Sequence, residues 1–134
     1  MVEINNRTKN KVDLALLKKT AQKFLESRKK GGYELSIAIV GDAEMRKLNK
    51  AYRELDKPTD VLSFAGEGNF YGEIILDFAQ IKKQAKELKK SIKEELIFIL
   101  VHGLLHLEGM DDKTEKGGRE MEKKAVNFIK KNKF

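Results

Sequence analysis

The stretch from Glu94 to Asp112, EELIFILVHGLLHLEGMDD, leaves the chain little choice about its centre. Ser91 and Glu94 stand three residues apart in a capping-box pattern, a helix start. From Leu96 to Leu107 the residues are apolar except for His102, Gly103 and His106. A helix without a polar face has to be enclosed on every side. At about a dozen apolar residues it falls short of the roughly 20 that cross a bilayer, so it belongs in a protein core. His102 and His106 are four apart, one turn along the same face. Gly109 offers a helix stop, with Asp111 and Asp112 just beyond it. Two imidazoles on a rigid face and a carboxylate returned by a turn form the layout of an open metal site.

The remaining chain supplies elements to enclose that helix. Val2–Asn6 alternates as a short edge strand does. Leu14, Leu17, Ala21, Phe24 and Leu25 recur at helical spacing between about Lys11 and Lys30, and Gly31-Gly32 stops the helix. Tyr33–Val40 alternates and is rich in β-branched residues, the pattern of a strand. Gly41-Asp42 turns into a helix expected to have Asp42 as N-cap and Met45, Leu48 and Tyr52 on its inner face. Pro58, the only proline, forbids a helix through RELDKPTDVLSFAGEG. Val61–Phe64 and Tyr71–Leu76 read as two strands joined by a turn at Glu67-Gly68-Asn69. Asp77 and Gln80 form a second capping-box pattern, opening a helix to about Lys89. After the central helix, Met121, Ala125, Phe128 and Ile129 mark an amphipathic last helix whose first turn Gly117-Gly118 weakens. The expectation is one domain over residues 1–134 with an α/β (α+β-like) architecture. One small mixed sheet of about four strands would pack with about five helices, the His-bearing helix central and buried.

The chain has no cysteine, which removes disulfides and thiolate ligands, so any metal must rest on His and carboxylates. The amino-terminal residues lack the apolar run of a signal peptide and no span crosses a membrane, which points to the cytoplasm. A net charge of +7, from 28 Lys and Arg against 21 Asp and Glu, suits a polyanionic partner. An ion-paired surface of the kind thermophilic proteins carry is the alternative reading of the same lysines.

A pair of histidines on a buried face is often no more than two satisfied core side chains. Here they are the only two in the chain, in its most apolar segment. Burying both is costly unless both are bonded, and metal ligation bonds them. Asp112 is the third candidate ligand. It could equally cap the last helix, with Glu115 three residues on, and Asp111 is a rival carboxylate. Zinc suits two histidines, a carboxylate and an open position, although other divalent ions accept the same set. The zinc peptidase pattern HExxH needs a glutamate beside the first histidine as general base, and Gly103 stands there instead. A residue without a side chain at that point lets another segment pack against the helix.

HGLLHLEGMDD resembles the motif HGxLHLxGYDH of the YbeY-type endoribonucleases. Independently, LNKAYRELDKPTDVLSF from Leu48 to Phe64 is similar to the family's LNxxYRxxDxPTDVLSF, and GEIIL from Gly72 to Leu76 to its GDIxI strand. The resemblance implies a metal-dependent, single-strand-specific endoribonuclease (a hydrolase) of 16S rRNA 3′-end maturation and ribosome quality control. Its partners would be precursor rRNA and the small ribosomal subunit. In the family three histidines hold a metal, usually taken as zinc. The first two correspond to His102 and His106, and the third corresponds to Asp112, a departure, as is Met110 for the family's tyrosine. An anionic carboxylate in place of a neutral imidazole lowers the Lewis acidity of the metal. The family's functionally important arginine corresponds to Arg53. Phosphodiester cleavage gathers negative charge on the phosphorus oxygens, and a guanidinium fork can meet two of them. Without the motif around it, Arg53 would read as part of an Arg53–Glu54 ion-paired helix end. Thr59, Asp60 and Ser63 are expected to buttress the site or touch RNA, with Asp60 structural. Phe64, Phe70 and Tyr71 are expected to pack rather than to stack on bases. The expected catalytic residues are thus Arg53 and His102, and the expected metal ligands His102, His106 and Asp112. A zinc peptidase-like hydrolase, and a ribosome-associated RNA-binding factor with a structural metal, are the competing readings.

Overall fold

The computed structural model describes all residues 1–134. Its elements run β1 (Val2–Asn6), α1 (Leu14–Ser27), β2 (Glu34–Val40), α2 (Asp42–Arg53), β3 (Val61–Ala65), β4 (Phe70–Asp77), α3 (Phe78–Glu87), α4 (Ile92–Leu107) and α5 (Glu115–Asn132). The strands form one sheet in the order β1-β2-β4-β3. β1 and β2 are parallel, as are β2 and β4, while β3 runs antiparallel to β4 at the edge. Parallel neighbours need a crossover, which α1 supplies between β1 and β2. The architecture is the expected four-stranded mixed α/β sheet with five helices.

Alternation along β2 and β4 decides how the layers form. Leu35, Ile37 and Ile39, with Ile74 and Leu76, join the large core made with α1, α3, α4 and α5. Ala38, Val40 and Ile75 face the other way, into a small cluster with Met45 of α2 and Leu62 of β3. Four helices therefore cover one face and α2 alone the other. The His-bearing α4 is the centre of the thicker side, packed against α1, α3, α5, β3 and β4. Its capping box forms as expected: the Ser91 side chain accepts from the Glu94 amide, and the Glu94 carboxylate accepts from the Ser91 amide.

Four local expectations need correction. α1 is shorter than Lys11–Lys30, because the Asp13 side chain accepts from the Leu16 amide and caps it there. Asp42 is the first residue of α2 rather than its cap, which is Gly41 without any side-chain bond. Tyr52 is 66% exposed, and the inner-face position is taken by fully buried Asn49. α3 ends at Glu87, and only half of its capping box exists. Asp77 accepts from the Gln80 amide, but the Gln80 side chain reaches Asp42 instead of returning to Asp77.

Candidate metal centre and cleft

The end of α4 shows how local sequence sets a ligand. Gly109 adopts φ +94, and around it the amides of Gly109 and Met110 bond back to the carbonyls of His106 and Leu105 at 3.0 and 3.3 Å. This is the Schellman pattern, which glycine favours because it carries no Cβ penalty in that conformation. The turn carries the Met110 carbonyl to 3.0 Å from His106 Nδ1. A carbonyl only accepts, so Nδ1 holds the proton and Nε2 keeps its lone pair free for a metal. His102 lies one turn earlier, its ring 5.3 Å from that of His106 and 5.7 Å from Phe98. Burial, and after it the neighbouring His106, push its pKa below the ordinary histidine value, which favours the neutral, ligating form.

Asp112 completes the group. One ligand atom from each of His102, His106 and Asp112 lies within 4.8 Å of the others. In a tetrahedral site with bonds of about 2.1 Å the ligand atoms stand roughly 3.4 Å apart. Asp112 is exposed and so free to make that adjustment. The other uses considered for these aspartates do not apply to Asp112. Thr114 caps α5 by accepting from the Gly117 amide, and Asp111 accepts from the Lys113 amide within the turn.

The three residues line a cleft of about 500 Å³ together with Arg53, Thr59, Asp60 and Ser63. Arg53 is exposed at the last turn of α2, and neither Glu54 nor any other carboxylate pairs with it. Its guanidinium is therefore open to an anion in the cleft. Glu54, held left-handed at φ 60, ends the helix directly after it. Buried Asn49 donates to the Lys57 carbonyl at 2.9 Å and ties down the loop that leads to Thr59 and Asp60. The only sign of Asn49 in the sequence is its place in the segment LNKAYRELDKPTDVLSF; its burial and bond appear with the fold.

Ser63 and Asp60 both serve as supports. Ser63 Oγ donates to the Gly103 carbonyl at 2.9 Å and locks β3 to α4. Asp60 accepts from Gln84, which also reaches buried Glu95, itself paired with Lys90 at 2.8 Å. Burial pushes the Asp60 carboxyl up from its ordinary value. Gly103 is where the strand comes closest: a Cβ there would lie 3.0 Å from Val61 Cγ2, 3.2 Å from Ser63 Oγ and 3.3 Å from Ile74 Cγ2. A glutamate at this position, the general base of a zinc peptidase, would crowd the side chains of Val61, Ser63 and Ile74. Phe64 packs edge-on against Tyr52 with centroids 4.9 Å apart, and Tyr71 against Tyr33 at 6.3 Å, whereas Phe70 is left partly exposed.

α5 contributes more than an amphipathic cover. Glu115, Arg119 and Glu122 line a second cleft, of about 490 Å³, on the other side of His102 and Asp112. Their helical spacing was visible, but not that they would flank His102. Across the surface, Lys90 is the only lysine in an ion pair. The lysines are thus mostly outside ion pairs and a net charge of +7 remains, which favours the polyanion over the ion-pair network as the reason for it. No helix is long and apolar enough to cross a membrane.

Comparison with known proteins points the same way as these residues. The sequence family described as Endoribonuclease YbeY matches residues 3–133. A protein of Syntrophotalea carbinolica named Endoribonuclease YbeY is 38% identical, over 96% of this chain and 93% of its own length. One of the same name from Aquifex aeolicus is 41% identical, over 86% and 79% respectively. A solution structure from Thermotoga maritima is similar with a TM-score of 0.65 and 31% identity, over 96% of this chain and 89% of that one.

Proposed function

Since the chain belongs to the YbeY endoribonuclease family, we propose that it cleaves single-stranded RNA at the cleft between Arg53 and the His102–His106–Asp112 group. The observation that carries this reading is the pairing of three convergent metal-ligand atoms with an unpaired arginine in one cleft. A phosphodiester lying between them would meet the guanidinium on one side and, once a divalent ion is held, that ion on the other. Arg53 presents a planar fork to its non-bridging oxygens and stabilises charge that grows as the phosphorus becomes five-coordinate. His106 keeps its Nε2 lone pair for a metal through its bond to the Met110 carbonyl, and His102 lies one turn away on the same helix face.

The donor set, two imidazoles and one carboxylate, fits a divalent ion, and zinc is the ion proposed. Bound there, it supplies Lewis acidity toward water or a phosphate oxygen. Asp112 brings a negative charge that offsets part of that acidity and favours retention of the ion. The biological substrate proposed is precursor 16S rRNA at its 3′ end, met in the cytoplasm on the small ribosomal subunit. The lysines outside ion pairs support association with such a polyanion.

The test is metal content after purification without chelator, together with cleavage of a single-stranded oligoribonucleotide. Wild type should carry about one equivalent of metal, and His106→Ala and Asp112→Ala should lose both metal and cleavage. A metal-free wild type that cleaves at full rate would sink the metal assignment. A stoichiometric metal with no cleavage would leave an RNA-binding factor.

A further inference from the structure

We propose that the groove between the first half of α4 and the last half of α5 binds the RNA strand flanking the scissile phosphate and takes up an unpaired nucleobase. The proposal rests on the endoribonuclease reading and extends it to a subsite outside the cleft. Its first ground is continuity. Phe98 lines both this groove and the second cleft, in which His102 and Asp112 lie. Along α4 the groove begins one turn from His102 and extends back to Lys93, a span of about 6–13 Å at 1.5 Å per residue. A strand held at the metal group can therefore continue into it.

The second ground is composition. Phe98, Ile129 and Phe134 give the groove an apolar, aromatic lining, and Lys93 and Lys130 edge it with cations free of ion pairs, while Lys90 is held by Glu95. Single-stranded nucleic acid is held by this combination, bases on aromatic rings and phosphates on cations, without need of a particular sequence. The one acidic side chain in the lining, Glu94, already accepts from the Ser91 amide in the helix cap. In the connecting cleft Glu115 lies 3.8 Å from Arg119. Glu122, which forms no ion pair, can accept from an exocyclic base amino group.

The third ground is size. The groove encloses about 380 Å³, at the lower end of small-molecule sites. That suits a nucleotide unit better than a protein helix, which would need anchor pockets over two turns.

The experiment is photocrosslinking of the wild-type protein, held in chelator so that no cleavage occurs, to an octaribonucleotide carrying 5-iodouridine at successive positions. Adducts are mapped by mass spectrometry. In parallel, octamer affinity is measured by fluorescence anisotropy for Lys93→Glu/Lys130→Glu and for the control Lys9→Glu/Lys47→Glu on exposed lysines elsewhere. An adduct on Phe98 or Phe134 at one end of the oligonucleotide is expected. So is an affinity loss of about tenfold or more for the groove pair, against less than about twofold for the control. Adducts confined to other regions, or equal losses in the two pairs, would overturn the subsite. An acidic helical peptide that enters the groove while RNA leaves no adduct there would do so as well. Groove adducts from a protein that fails to cleave RNA once loaded with metal would support the subsite and count against the nuclease reading alone.

Discussion

Arg53 and His106 reach their places by different kinds of instruction. For His106 the instruction is local: four residues, ending in a glycine that can take φ +94, put a carbonyl under Nδ1 and turn Nε2 outward. Arg53 is placed by α2, and its isolation from any carboxylate becomes visible only once the chain is folded. On sequence alone, its neighbour Glu54 was an equally good partner. Arg53→Ala should lower kcat/KM for RNA by about 10²–10³-fold, the usual effect of removing a preorganised donor to a developing oxyanion. Its thermal midpoint should stay within about 2 °C of wild type, because the side chain is exposed and makes no bond. Steady-state cleavage and a melting curve check both halves. An unchanged rate would return Arg53 to the ordinary surface.

At the scale of elements, α4 was legible almost to the residue, from its capping box to its glycine stop, because nearly every position carries the same message. α2 was read less well. Its inner face was assigned to Tyr52 by apolarity, yet the structure buries Asn49 there and leaves Tyr52 out, since the Lys57 carbonyl needs a donor. The contact of α4 with β3 is the tightest joint in the site. Gly103→Val should lower stability by about 1–3 kcal/mol, through overpacking against Val61, Ser63 and Ile74. For a chain of this size that is a fall in thermal midpoint of roughly 4–12 °C. RNA cleavage should fall further than stability explains, because Ser63 and its neighbours on β3 and the preceding loop line the same cleft as the histidines. A variant with unaltered melting and activity would show that β3 yields freely.

For the molecule as a whole, one buried carboxyl, Asp77, bonded to the exposed Asp42, makes stability depend on pH. Asp77 is fully buried, one of its oxygens has no donor, and Asp42 lies against it. Burial, and after it the bond with Asp42, raise the Asp77 pKa to about 7, and the bonds to Asp77 and then Gln80 hold Asp42 below its ordinary value. Folded Asp77 thus keeps a proton that the unfolded chain gives up above about pH 4, so stability falls as pH rises from there to about 7. Asp42 has the opposite sign and acts only at lower pH, where stability falls with falling pH. His102, with its lowered pKa, also opposes the trend, losing stability as pH drops below its unfolded value. The Asp77→Asn variant separates the contributions. Its thermal midpoint relative to wild type should rise between pH 5 and pH 8, and a difference that stays flat over that range would refute the raised Asp77 pKa.

The sequence by itself determined the central helix, the order of strands and helices, and the identity of the candidate ligands. Each of these follows from short-range rules of periodicity, capping and glycine geometry, or from motifs contiguous in the chain. Only the tertiary structure decided that Asp112 rather than Asp111 meets the histidines. It also decided that Arg53 stands unpaired beside the cleft, that α5 brings a second cleft to His102, and that buried Asp77 meets Asp42. Those facts depend on which side chains from distant segments compete for the same space and the same hydrogen-bond partners, and such competition exists only after the elements have packed.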